Sequence, residues 1–186
     1  MPRVIFYSAT TLNGFLADDD DSLDWLFVVA GGEDPGEGFA AFLKDVGVLV
    51  MGSTTYEWVL NHEHLLDRPE KWTEYYANRP TVVFTSRELA LVAGADIRLV
   101  SGDVETHWPA IAEAAGEQDV WVVGGGDLVG QFDDAGHLDE LRLSVAPVTL
   151  VSGRPLLPRR IESDRLRMVS VVQSGQFAEL VLKVER

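Results

Sequence analysis

Three consecutive glycines, Gly124 to Gly126, join a short apolar run to a segment with helical spacing. The run Val120 to Val123 predicts a strand buried on both faces, and Leu128 and Phe132 continue with the spacing of a helix. Glycine has no Cβ, so an anionic group can approach the backbone of such a turn closely. The following helix offers unpaired N–H groups and the positive end of its dipole. The turn is therefore a candidate pyrophosphate site, although a strand-to-helix turn that binds no ligand would show the same local pattern.

The glycines do not match the two common phosphate-binding motifs. Counted from Gly124, the pattern is G-x-G-x-x-V, so the third glycine of the dinucleotide fingerprint is missing. No lysine follows the glycines, as a P-loop requires. Other segments must therefore decide whether the turn binds a ligand.

Two further predicted strands end in residues that suit an anion. Residues 47–51 run into Gly52-Ser53-Thr54-Thr55, whose hydroxyls could cap the next helix or bind phosphate. Residues 81–85 are followed by Ser86 and Arg87, a hydroxyl and a guanidinium that could hold phosphate by charge-assisted hydrogen bonds. Ligands of open α/β sheets lie beyond the carboxyl ends of the strands. Three such ends predict a crevice for an extended ligand.

The elements that position these residues alternate between strand and helix. The pattern predicts helices at 37–45, 54–60, 107–115 and 127–135, a polar segment between residues 60 and 81, and strands at 3–9, 47–51, 81–85, 97–100, 120–123 and 140–146. Thr106 is expected to cap the third helix and Gly116 to end it. Segments 166–173 and 177–184 predict a hairpin. A mostly parallel sheet with an antiparallel edge and helices on both faces is expected.

Composition limits the partners and the chemistry. The chain has 186 residues, which predict a single domain, 1–186. Thirty acidic and 15 basic residues give a net charge of −15, which repels nucleic acid. The absence of cysteine excludes disulfides, thiolate metal sites and cysteine nucleophiles. No apolar run is long enough to span a bilayer, so membrane insertion is not expected. The N-terminus predicts a strand and not a secretion signal, so a cytoplasmic location is expected.

In their order, these motifs resemble the dihydrofolate reductase superfamily, and within it the stand-alone proteins similar to the reductase domain of bifunctional riboflavin-biosynthesis enzymes. The resemblance spans nearly the whole chain. It is carried by Ser8-Ala9-Thr10-Thr11-Leu12-Asn13-Gly14-Phe15-Leu16-Ala17, Ser22-Leu23-Asp24-Trp25-Leu26, Met51-Gly52-Ser53-Thr54-Thr55-Tyr56-Glu57, Thr85-Ser86-Arg87, the three glycines, and Val145-Ala146-Pro147 through Gly153-Arg154-Pro155-Leu156.

The resemblance implies a three-layer α/β fold like that of dihydrofolate reductase, around a central, mainly parallel eight-stranded sheet. It also implies an NADPH-dependent reductase that transfers a hydride to a small heterocycle of the pterin or ribosylamino-pyrimidine type. Ser86 and Arg87 would bind the 2′-phosphate of NADPH, and Ser53 stands where the family has an arginine. The implied cofactor-binding residues are Ala9, Gly14, Gly52, Thr54, Thr55, Ser86, Arg87, Gly124, Gly125, Gly126, Asp127, Leu128 and Val129.

Asp24 and Trp25 are the candidates for substrate contacts. The indole would stack on a heterocycle and the carboxylate would accept hydrogen bonds from its N–H groups. The alternative is that Asp24 is an ordinary loop residue beside a packed aromatic side chain. Dihydrofolate reductase carries an acid on the helix before its M-G motif. Here the acids near that place are Glu33, Asp34 and Glu37, which are out of register, so folate is not expected as the substrate. No catalytic side chain is identified from the sequence.

Two other functions stay open. One is a non-catalytic nucleotide-binding or sensor module on the same fold, because fold does not fix function. The other is a metal-dependent hydrolase through His62 and His64, but two histidines one residue apart point in opposite directions and lack the H-E-x-x-H spacing. A surface segment without metal is the preferred interpretation of these histidines.

A homodimer is expected, as relatives commonly form one. Val169, Val171, Leu180 and Leu182 give the C-terminal hairpin a long apolar edge that a monomer would have to protect.

Overall fold

The computed structural model describes residues 1–32 and 36–186. The strands in these ranges are β1 (Val4–Thr11), β2 (Phe15–Ala17), β3 (Val46–Gly52), β4 (Thr81–Phe84), β5 (Ile97–Val100), β6 (Asp119–Gly124), β7 (Leu138–Ala146), β8 (Arg154–Pro155), β9 (Leu166–Ser174) and β10 (Phe177–Val184). Eight of them form one sheet in the order β5-β4-β3-β6-β1-β7-β10-β9. Neighbours from β5 to β7 are parallel, whereas β10 is antiparallel to both β7 and β9. The predicted mainly parallel, eight-stranded sheet with an antiparallel C-terminal hairpin is confirmed.

Helices cover both faces of this sheet. They are α1 (Asp24–Phe27), α2 (Gly36–Lys44), α3 (Ser53–His62), α4 (Glu70–Tyr76), α5 (Val104–Ala115) and α6 (Gly126–Asp134). Successive side chains of a strand point to opposite faces. Val50 accordingly shares an apolar core with Ile111 of α5 and Phe132 of α6. Its neighbour Leu49 shares the core of the other face with Tyr56 of α3. The three layers are therefore as predicted.

Helix α4 was not predicted, because it lies in the segment expected to be polar and without an element. Its apolar face consists of two aromatic residues four positions apart. Trp72 is fully buried, and Tyr76 packs against the same core. A helix of seven residues, of which only two pack against the core, is too short for helical periodicity to show in the sequence. None of the helices in residues 1–32 and 36–186 combines the length and apolar character needed to cross a bilayer.

The start of α5 corrects the predicted cap. The helix begins at Val104, three residues before the predicted start, and Asp103 is its N-cap residue. The Asp103 carboxylate accepts a hydrogen bond from the backbone N–H of Thr106 at 2.7 Å, so Thr106 lies inside the helix. Aspartate is as good an N-cap as threonine and stands one turn earlier. Gly116 ends the helix with φ +62°, as predicted.

Strands β2 and β8 form a separate antiparallel pair that ties two distant loops together. A Cβ at Gly153, just before β8, would lie 2.1 Å from the carbonyl oxygen of Ala17, so only glycine allows this approach. The Arg154 guanidinium also pairs with Asp21 at 2.5 Å. The run of four aspartates that starts at Asp18 is therefore partly engaged in an ion pair.

Candidate functional site

A cavity of about 1130 Å³ opens at the C-terminal ends of the central parallel strands. We refer to it as the cavity. Its wall includes Ala9 of β1, Gly52 of β3, Trp58 of α3, Gly124 of β6, Ser144 of β7 and Glu179 of β10. This is where open α/β sheets bind their ligands.

Two helices begin at the cavity wall, and each begins at a glycine. Gly125 is the N-cap of α6 and Gly52 is the N-cap of α3, both with extended backbone and without a side-chain capping hydrogen bond. A Cβ at Gly52 would lie 3.7 Å from the backbone N of Gly125, so the two helix ends are close together. By contrast, α5 carries the Asp103 cap. The first-turn N–H groups of α3 and α6 are thus left for a ligand.

The three glycines of the α6 turn have different environments. Gly124 has φ +154°, and a Cβ there would lie 3.2 Å from the Thr55 hydroxyl oxygen. A Cβ at Gly126 would lie 2.4 Å from the carbonyl oxygen of Pro155. A Cβ at Gly125 would meet nothing within 4 Å. Gly126 is therefore required by packing, whereas Gly125 leaves open space in which a ligand can approach the backbone.

Most of the predicted cofactor residues lie at the cavity. They are Ala9, Gly52, Thr54, Thr55, Gly124, Gly125, Gly126, Asp127 and Leu128. Val129 is fully buried in the core beneath α6. Gly14 does not line the cavity but lies in the turn before β2, where its carbonyl accepts the N–H of Leu156 at 2.9 Å.

Ser86 and Arg87 lie outside the cavity, in a smaller hollow of about 270 Å³ shared with Thr85 and Ser101. The Arg87 guanidinium makes two hydrogen bonds to the carboxylate of Glu57, at 3.1 and 2.5 Å. The Arg87 side chain is 54% exposed, so this ion pair contributes at most about 1 kcal/mol to stability. Glu57 belongs to α3, whose first residues line the cavity. Of the two predicted 2′-phosphate residues, Arg87 is thus already paired with an acid on the helix that begins at the cavity.

The two predicted substrate residues have different positions. Trp25 lies in the cavity wall and is 7% exposed, and its indole N–H donates to the carbonyl of Leu16 at 3.2 Å. Asp24 is exposed and does not line the cavity. Glu33, Asp34 and the side chain of Glu37 lie outside the described residues.

An aromatic part of the wall was not predicted. The rings of Trp58 and His62 stack with centroids 4.4 Å apart, and the Phe27 ring stacks on His62 at 5.0 Å. All three line the cavity, so His62 is not merely part of a surface segment. Their signal in the sequence is the four-residue spacing of Trp58 and His62 on one helix. Across residues 1–32 and 36–186, no group of three His, Cys, Asp or Glu side chains could hold a metal ion.

A polar cluster on β1, β7 and β10 was also missed. It consists of Tyr7, Ser144 and Glu179, and we call it the Glu179 cluster. Ser144 is paired with Glu179 in the sheet register, and its hydroxyl donates to the Glu179 carboxylate at 2.7 Å. Burial and then the nearby Glu179 charge raise the pKa of the Tyr7 phenol, with Arg142 and Ser144 opposing them. The phenol therefore stays protonated at neutral pH.

The other acidic side chains of the cavity wall are held by cations. The ion pairs are Asp21 with Arg154 at 2.5 Å, Glu63 with Lys71 at 2.9 Å, and Asp127 with Arg159 at 3.0 Å. Burial raises the pKa of Glu63, but hydrogen bonds from Lys71 and Tyr75 outweigh this effect and leave the pKa lowered. A hydrogen bond from Gln131 is the main cause of the lowered pKa of Asp127.

Comparisons with known proteins agree with this geometry. The chain is 26% identical over 178 residues to the uncharacterised protein YwjB of Bacillus subtilis (strain 168), which covers 96% of this chain and 95% of that protein. The structure of a proposed riboflavin biosynthesis protein from Shewanella sp. PV-4 matches with a TM-score of 0.74 and 26% identity over 100% of both chains.

A third relative is a two-activity enzyme. The structure of a diaminohydroxyphosphoribosylaminopyrimidine deaminase/5-amino-6-(5-phosphoribosylamino)uracil reductase from Thermotoga maritima matches with a TM-score of 0.66 and 18% identity, over 98% of this chain and 56% of that chain. At that identity the match shows the fold alone. The family model of the RibD C-terminal domain matches residues 2–178. The predicted resemblance is confirmed, and the chain belongs to the RibD C-terminal domain family.

Proposed function

We propose that this protein is an NADPH-dependent reductase that transfers a hydride to a small heterocyclic substrate. The observation that carries the proposal is the meeting of two helix N-termini, both capped only by glycine, at one cavity. Membership of the RibD C-terminal domain family supports reductase activity in general. The uracil reductase activity in the name of the Thermotoga protein suggests a pyrimidine-like substrate.

The residues present fit a dinucleotide. The open space at Gly125 allows a pyrophosphate to reach the N–H groups that begin α6, and Thr54 and Thr55 add hydroxyls from the start of α3. Ser86 and Arg87 would hold the 2′-phosphate, next to Glu57 of α3. When bound, the cofactor supplies the hydride. The chain's own part is to bind and orient both molecules and to exclude water from between them.

The size of the cavity agrees with two ligands. Pockets for a single drug-sized molecule are roughly 300–1,000 Å³. At about 1130 Å³ the cavity is larger than that range. The glycine turns follow β3 and β6, whereas Glu179 lies on β10, three strands from β6 in the sheet, and both line the cavity. We assign the part at the glycine turns to the cofactor and the part at Glu179 to the substrate.

Calorimetric titration with NADPH, followed by a substrate screen that monitors NADPH absorbance, tests this proposal. We expect NADPH to bind and to raise the melting temperature by linkage. No binding at millimolar NADPH would overturn the proposal. Binding without turnover on any pterin or pyrimidine would favour the alternative of a nucleotide-binding or sensor module.

We further propose that two copies pair along β9. This strand ends the eight-stranded sheet, and its Val169 and Val171 side chains are 51% and 61% exposed. Leu180 and Leu182, which were expected to share this edge, pack against the core instead. An exposed apolar edge strand invites pairing with a second copy.

Light scattering tests the dimer. At micromolar concentration we expect about twice the chain mass of 20.5 kDa. Lysine at both positions, Val169→Lys with Val171→Lys, should return the mass to that of one chain while leaving NADPH affinity unchanged. A wild-type mass near one chain would contradict the pairing.

A further inference from the structure

Glu179 differs from the other acidic side chains of the cavity wall. Asp21, Glu63 and Asp127 each have an ion-pair partner. Within the described ranges Glu179 has none, and its hydrogen bond from the Ser144 hydroxyl reaches only Oε2. A carboxylate oxygen can accept two hydrogen bonds, so Glu179 keeps acceptor capacity that faces the cavity.

The cavity wall has little positive charge to offer. Arg154 is the only arginine or lysine that lines it among the described residues. Its guanidinium donates to both carboxylate oxygens of Asp21, at 2.5 and 3.2 Å, and to the carbonyl of Asp19 at 3.2 Å. Arg142, on the same strand as Ser144, pairs with Glu140 at 2.5 Å and lies over the Phe42 ring. A phosphate on the substrate would therefore lack a free cation and would meet the unpaired Glu179 charge.

The polar neighbours of Glu179 and the aromatic residues of the same cavity define what the cavity can hold. The Ser144 hydroxyl and the protonated Tyr7 phenol lie beside Glu179. Trp25 and Trp58 belong to the wall of the same cavity. An ionised carboxylate matches two adjacent N–H donors, such as an amino group next to a ring N–H, with two parallel hydrogen bonds. Aromatic walls favour a planar ring over a flexible amine.

We infer that the cavity takes a planar heterocycle without a phosphate group, which presents an amino group and an adjacent ring N–H to Glu179. This inference rests on the proposed function and narrows its substrate class. The substrate inferred for this chain differs from the phosphoribosyl substrate in the name of the Thermotoga protein, because it carries no phosphate. Glu179 is thereby the residue that determines substrate specificity.

Binding of defined probes tests the inference. Pterin and isocytosine carry the amino and ring N–H pair, and 4-hydroxypyrimidine lacks the amino group. Calorimetry should show Glu179→Gln weakening pterin and isocytosine by about tenfold to hundredfold, the value of a charged hydrogen bond. The amide of glutamine would place a donor against the probe's donors. The matched control is Glu185→Gln, an exposed acid outside the cavity, which should bind as wild type. Glu179→Ala makes the same comparison if the glutamine variant does not fold.

A phosphate pair gives the second arm. Guanosine and guanosine 5′-monophosphate share the donor pair and differ in the phosphate. With NADPH bound, so that the N-termini of α3 and α6 are occupied, we expect the monophosphate to bind at least about tenfold more weakly. Equal or tighter binding of the monophosphate would overturn the inference. Equal pterin affinity in wild type and Glu179→Gln, or no binding of any probe, would also overturn it.

Titrations with and without NADPH separate this inference from the proposed function. If the protein does not bind NADPH but binds the probes in a way that depends on Glu179, the reductase proposal is overturned and the inferred heterocycle site is supported. If the protein binds NADPH but substitution of Glu179 does not change probe binding, the reductase proposal stands and the inferred heterocycle site is overturned.

Discussion

The α6 turn and the Glu179 cluster lie at the same cavity and are built in opposite ways. The turn uses consecutive residues and offers backbone N–H groups, so its chemistry depends on space around Gly125. The cluster combines side chains of β1, β7 and β10, and Ser144 and Glu179 are 35 residues apart in the chain. A substitution can block a backbone site with a Cβ but cannot give it a different chemistry, whereas one substitution can replace the chemistry of a side-chain site. The turn is therefore suited to an invariant ligand and the cluster to a ligand that differs between relatives.

The sharpest test of the backbone side is Gly125→Val. Its Cβ meets nothing within 4 Å and the residue has extended backbone, so the fold should be kept. The branched side chain should occupy the space of the pyrophosphate and weaken NADPH by about 100-fold or more, about 2.7 kcal/mol. Calorimetry measures the affinity and circular dichroism the fold. Unchanged affinity in the folded variant would show that the ligand lies elsewhere.

Arg87→Ala tests whether a side chain supplements the backbone site. A lost charge-assisted contact to the 2′-phosphate is worth roughly 1.5–3 kcal/mol, so NADPH should weaken about tenfold to hundredfold. NADH lacks that phosphate and should change less than about threefold. Competition binding with both cofactors measures the difference.

The control for Arg87→Ala is a substitution of Glu57, the acid that pairs with Arg87. Glu57→Gln removes the acid that holds the guanidinium and should tighten NADPH by up to about fivefold, the value of an exposed ion pair. Equal weakening of both cofactors in Arg87→Ala would mean that Arg87 holds the pyrophosphate or the loop. No change in either would leave the NADPH preference without its cationic support.

Gly126→Ala should affect stability where Gly125→Val affects binding. The new Cβ would lie 2.4 and 2.5 Å from the carbonyl oxygens of Pro155 and Leu156, so the backbone must shift. Overpacking of this kind costs about 1–3 kcal/mol in the free energy of unfolding. Urea denaturation measures this free energy. A variant as stable as wild type would mean that segment 155–156 moves freely.

The smallest effect is expected at the capped helix. Asp103→Ala should lower the urea midpoint less than Gly126→Ala and leave NADPH affinity unchanged, because α5 does not begin at the cavity. Hydrogen bonds that Thr106 donates to the Asp103 carboxylate lower the pKa of Asp103. The cap therefore stabilises the fold above the usual pKa of aspartate, and its contribution is lost as the pH falls through the lowered value. The difference between variant and wild type should shrink accordingly in acid, and a constant difference would count against the cap.

The sequence predicted what depends on neighbouring residues. The glycine turn, the strands around it and the hairpin at Gly175, which has φ +56°, were all found from local patterns. The Glu179 cluster could not be found in this way, because its members meet only when the register of β7 and β10 is known. The ion pair of Asp21 with Arg154 could not be found from local patterns either, because it joins residues that are 133 positions apart in the chain.

Residues 153–156 have a consequence for protein engineering. Gly153 contacts the backbone of Ala17, Leu156 donates to the carbonyl of Gly14, and Pro155 packs against Gly126. This short segment is thus wedged between the loop that carries β2 and the turn that begins α6. A chimera that takes only residues 12–17 from a relative would pack foreign side chains against residues 153–156 of this chain, which do not fit them. A chimera should therefore keep the stability of its parents only when residues 12–17 and 153–156 are transplanted as one unit.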